Sequence, residues 1–118
     1  MTTKSKQDKI EEVVIQVGLL EWNDRERKLK PKRGKRMALR VCLKDPYATI
    51  RKKAIEKWKN YHKNLYDEEK EYLLTYEDGS EALFLPGTHS FLDLKTYREE
   101  IGKDYRRIIF FLCTQEDQ

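Results

Sequence analysis

The chain has 118 residues, 38% of them hydrophobic and 39% charged, with a formal net charge of +4 at pH 7. That length fits one domain with a modest core under a heavily charged surface. Aromatics at 11% and well-formed apolar runs exclude disorder throughout, and no apolar run is long enough to span a bilayer.

Residues 1–9 are polar and aperiodic, so the reading is a disordered tail, then a domain over 10–114 and a short tail over 115–118. Val13 to Leu20 alternates as a strand, with Val13, Ile15, Val17 and Leu19 on its cleaner core face. Asn23 to Arg36 follows, rich in Lys and Arg and broken by Pro31 and Gly34. Met37 to Leu43 reads as a second strand, which makes a hairpin with the positive charge at its long tip.

An amphipathic helix comes next, with Ile50, Ala54, Ile55, Trp58 and Tyr61 on one face, Thr49 as its N-cap and Pro46 before it. Glu71 to Tyr76 is the third strand. The Asp78-Gly79 turn leads to a fourth over Glu81 to Leu85, and Asp93 to Ile101 has room for a short helix. Arg106 to Cys113 is apolar on both faces, as a central strand is. A lone main helix must cover one face of the sheet these strands form. The fold class expected is therefore α+β, a β-grasp with a mixed sheet of about five strands.

No catalytic constellation stands out. His62 and His89 lack partners at metal spacing, and the carboxylates of Asp67 to Glu71 and Glu99-Glu100 read as solvated surface. Gly34 and Gly79 form no phosphate-cradling motif. Cys42 and Cys113 sit in strand-like runs without zinc or redox spacing. Buried, reduced thiols and the absence of a signal peptide point to an intracellular protein, cytoplasmic or nuclear, or a fragment of one. No enzyme activity, cofactor, metal, small-molecule substrate or membrane partner is expected.

Three features suit partner binding. Lys28, Lys30, Lys32, Arg33, Lys35 and Arg36 could meet an acidic protein, an import receptor or phosphates; the plain alternative is a solvated tip. Nucleic-acid or other polyanion binding through residues 25–36 lacks spaced aromatics, Trp22 being alone. If Ile108, Phe110 and Leu112 face the core, then Ile109, Phe111 and Cys113 face outward beside Val14 and Leu20. They form either an exposed apolar stripe for a partner or a surface covered by residues 87–103. Finally, Met37 to Leu43 offers an edge for strand addition, and Glu77, Asp78 and Glu81 could support head-to-tail association with the basic loop.

Asp45-Pro46-Tyr47-Ala48-Thr49-Ile50 resembles the start of the ubiquitin helix, and the element order resembles ubiquitin-like folds, including Ras-association and Phox/Bem-type domains. The denser acidic motif of the Phox/Bem type is not clear here. A closer resemblance rests on Glu71 to Gly79, Phe84-Leu85-Pro86-Gly87 and Ile108 to Cys113, with Lys30 to Lys35 and Glu56-Lys57-Trp58. These are similar to an uncharacterised module of large vertebrate proteins described as HECT-type ubiquitin-ligase-like, over Val13 to Cys113. That resemblance implies a non-enzymatic adaptor, with ligase chemistry in a separate region. Conjugation is not expected, since the sequence ends without Gly-Gly.

Overall fold

A computed structural model describes residues 11–117; the expected tail over 1–9 and the terminal Gln118 lie outside the described residues. Five strands form one mixed sheet: β1 (Glu12–Asn23), β2 (Lys28–Pro31), β3 (Met37–Cys42), β4 (Tyr72–Thr75) and β5 (Ile109–Thr114). β2 and β3 both run antiparallel to β1 on one side. β5 lies parallel to β1 on the other, and β4 closes the sheet antiparallel to β5. The apolar-on-both-faces segment is thus interior to the sheet. The result is an α+β architecture compatible with a β-grasp.

Helix α1 (Tyr47–Tyr61) covers the inner face, and the shorter α2 (Leu94–Ile101) follows β4 in the chain. Ile15, Val17 and Leu19 of β1 and Ile108, Phe110 and Leu112 of the β5 segment meet Tyr47, Ile50, Ala54 and Trp58 of α1 in the main core. Trp58 is fully buried. Ile55 is half-buried against the same cluster. Tyr61 departs from the expectation: it is 69% exposed, at the last position of α1.

The start of α1 also differs from the sequence reading. The helix begins at Tyr47, with Pro46 in the N-cap position and no side-chain cap. Pro46 has a fixed φ and no N–H to satisfy, so the helix can begin directly behind it. Its carbonyl accepts from Thr49 N at 3.1 Å and Ile50 N at 3.0 Å, which places Thr49 inside the first turn. A true cap occurs at α2, where the Asp93 carboxylate accepts from Lys95 N at 3.3 Å and Thr96 Oγ1 at 2.8 Å. Urea unfolding should therefore show Asp93→Ala losing about 1 kcal/mol and Thr49→Ala within about 0.5 kcal/mol of wild type. An equal loss at both positions would contradict this helix start.

The expected fourth strand is reduced to bridges. Glu81 bridges Thr75, Phe84 bridges Phe91, and Ala82 N donates to Leu74 O at 2.8 Å. Ala82 and Leu85 are buried in the main core. The apolar pattern of Glu81 to Leu85 therefore reports core burial, without a ladder.

Candidate partner-binding surfaces

The hairpin tip is Asp24 to Arg27, and it is charge-balanced. Asn23 closes it, its side-chain Oδ1 accepting from Glu26 N at 2.9 Å and its carbonyl from Arg27 N at 2.7 Å. The returning chain is one strand broken in two. Pro31 pairs with Leu20 and Met37 with Val17, so residues 32–36 oppose only Gly18 and Leu19. Lys32 N stays tied to Leu19 O at 2.8 Å, and the rest bulges from the sheet edge. The expected concentration of charge at the tip is thereby corrected: it lies on β2 and, mainly, on this bulge.

The basic side chains divide into two sets. Lys28 and Lys30 both pair with Glu26, and Lys32 lies 3.4 Å from Glu21. The Lys30 ammonium holds the Glu26 carboxyl below the usual carboxylate range. Arg33, Lys35 and Arg36 form no ion pair among the described residues, so their charge faces solvent uncompensated.

Folding brings to the bulge a neighbour that sequence reasoning missed. Lys35 lines a surface cleft of about 620 Å³ with Asn60 and Tyr61 from the end of α1 and His62, Lys63 and Asn64 from the turn after it. Lys57 reaches across to the Ala38 carbonyl, and its Nζ sits 5.3 Å from the centre of the Tyr61 ring. The cleft has no carboxylate in its lining. The available signal was Lys57 four residues before Tyr61, a pair that meets on a helix surface.

The outer face of the sheet does not carry the expected open stripe. Phe111 is 3% exposed and Cys113 fully buried, in a second cluster with Leu20. Half-buried Leu29 of β2 and Ile109 pack against them. Residues 87–103 are not the cover either, since Leu92 and Leu94 join the main core. Two glycines allow this closure. A Cβ on Gly18 would lie 2.9 Å from Phe111 Cε1, and one on Gly79 would lie 2.6 Å from Leu29 Cδ1. Burial pushes the Cys113 thiol up to about 11, which keeps it protonated and inert at neutral pH.

The margins of β3 and β4 are guarded in part. On β3, the outward groups of Cys42 are held by Asp45: its Oδ2 accepts from Cys42 N at 2.9 Å, and its N donates to Cys42 O at 2.9 Å. Lys57 occupies Ala38 O. On β4, the Tyr47 hydroxyl accepts from Leu74 N at 3.3 Å, and Arg51 Nε donates to Tyr72 O at 2.7 Å. Strand addition along Met37–Cys42 would have to displace these partners. The acidic set is also engaged in part: Glu81 accepts from the Tyr47 hydroxyl at 2.6 Å, and Asp78 accepts from Ser80 N and Oγ.

His62 packs 4.5 Å from the Trp58 ring and His89 lies 6.3 Å from Phe84. Among the described residues no cluster of His, Cys, Asp and Glu is placed to hold a metal ion, and no helix is long and apolar enough to cross a membrane. Comparison of the chain with protein-family models, with curated proteins and with solved structures returned no match.

Proposed function

We propose that the chain is a ubiquitin-like β-grasp domain that serves as a non-enzymatic protein-interaction module, an adaptor within a ubiquitin-pathway or signalling protein. The fold reading is supported by the sequence of a hairpin, a helix packed on its inner face, and a last strand parallel to the first. The partner is an acidic protein surface. The observation that carries this reading is the bulge: Arg33, Lys35 and Arg36 lack ion partners among the described residues, and Lys35 lines the cleft around exposed Tyr61. An uncompensated positive patch beside an exposed aromatic suits a partner that supplies carboxylates and a polar rim.

The internal pairing of the other lysines gives a test with its own control. The triple reversal R33E/K35E/R36E is expected to weaken partner capture at least about tenfold, since it sets like charges against each other. Reversing Lys28, Lys30 and Lys32 together should cost less, because those charges are already matched within the hairpin. A pull-down in which both variants bind as wild type does would remove the bulge from the mechanism.

Polyanion binding through residues 25–36 is the second reading, favoured by one observation. Trp22 is 46% exposed and Tyr61 69% exposed, so aromatic surfaces do accompany the cations. It predicts that affinity for single-stranded DNA or RNA falls with a log–log salt slope of roughly −0.7 per phosphate contacted. A flat titration at physiological salt would dismiss it.

A further inference from the structure

At the other end of β1, a second cleft of about 450 Å³ lies among Glu12, Val13, Val14, Arg40, Arg98, Asp104, Tyr105 and Arg106. Its three arginines come from β3, from α2 and from the turn before β5. Two of them have a carboxylate partner and one has none among the described residues. Arg40 lies 3.6 Å from Glu12, Arg98 lies 3.4 Å from Asp104, and Arg106 has no ion pair among the described residues. Arg98 is the anomaly. Its guanidinium carbon stands 5.2 Å from the centre of the Tyr105 ring, and its Nε is buried with no acceptor among the described residues. A buried donor on a cation without an acceptor is costly, and native structures rarely leave one without a role.

We propose that this cleft is an anion site that takes a phosphate monoester, with Arg98 and Arg106 supplying forked donors, Arg40 a third charge and Tyr105 one wall. Guanidinium groups match a tetrahedral dianion by paired, charge-assisted hydrogen bonds, which an ammonium cannot reproduce. Glu12 and Asp104 line the same cleft. They leave the five charged side chains with a formal net charge of +1, three Arg against two carboxylates. Glu12 therefore limits affinity. The site is separate from the bulge, because Glu12 to Val14 pair with Cys42 to Arg40 while the bulge faces Gly18 and Leu19.

The test is NMR on the full chain titrated with inorganic phosphate, following the side-chain Hε–Nε signal of Arg98. Saturable movement of that signal in the millimolar range is expected. Arg98→Lys and Arg106→Gln should each weaken binding about tenfold or more. Glu12→Gln should strengthen it, a direction that general damage to the fold would not produce. R33E/K35E/R36E should leave it unchanged. Parallel titrations with phosphoserine, phosphotyrosine and a phosphopeptide then distinguish a free phosphometabolite from a modified partner protein. An unmoved Arg98 signal, or weaker binding by Glu12→Gln in a folded protein, would overturn the proposal.

Discussion

Replacing Trp58 by alanine is expected to lower the unfolding free energy by about 3–5 kcal/mol, the range for emptying a large aromatic site in a packed core. Trp58 is fully buried, among Ile15, Ile50, Leu74 and Phe110 in the main cluster. A domain of this size has about 5–15 kcal/mol in total, so the variant gives up a large share of its stability. Trp58→Phe should behave differently. The indole Nε1 is buried and has no hydrogen-bond partner among the described residues. An unsatisfied buried donor carries a desolvation penalty of about 1–3 kcal/mol, and phenylalanine removes it while leaving part of the ring contact with His62. The net loss for Trp58→Phe is expected near about 1 kcal/mol. Urea unfolding followed by circular dichroism measures both, and a loss below about 1 kcal/mol for Trp58→Ala would show that α1 is not the element holding the sheet.

The second large effect lies on the opposite face. Gly79 has φ +89°, a conformation side chains rarely adopt, and Leu29 Cδ1 fills the space its Cβ would take. Gly79→Ala combines a backbone cost of about 1–2 kcal/mol with an overpacking cost at the low end, about 1 kcal/mol, because Leu29 Cδ1 is the far end of a flexible, half-buried side chain. The overpacking share should vanish when Leu29 is also alanine, because the obstructing methyl is then gone. The double-mutant cycle is thus expected to show a coupling of about 1 kcal/mol. Strict additivity would mean that Leu29 does not rest on the turn, and that Leu20, Phe111 and Cys113 are covered by something else.

These two positions mark what the sequence could and could not reveal. The face of α1 was legible because Ile50, Ala54 and Trp58 repeat at helical spacing. So were β1, from its alternation, and β5, from its doubly apolar run between neighbours on both sides. The short α2 showed in outline over Asp93 to Ile101. Tertiary placement was not legible. Leu29 sits among charges in the sequence, and nothing local says that it turns onto Phe111. The split of the return strand depends on register, which fixes residues 32–36 as a bulge opposite Gly18 and Leu19. Without that register, the matched lysines cannot be told from the unmatched Arg33, Lys35 and Arg36. The arginine cleft was invisible for the same reason: Arg40 is far in the chain from Arg98 and Arg106, and only the fold gathers them.

The hydrogen bonds from Asp45, Lys57, Tyr47 and Arg51 to the margins of the sheet have a further consequence. A β-sheet with bare margins acts as a seed onto which other chains crystallise, and here several of those sites on β3 and β4 are already occupied from within. Concentrated samples of this protein should stay clear and free of fibrils while the fold is intact. Clumping through the charged surface should dissolve on adding sodium chloride, whereas contacts through exposed Trp22, Tyr61 and Phe91 should persist.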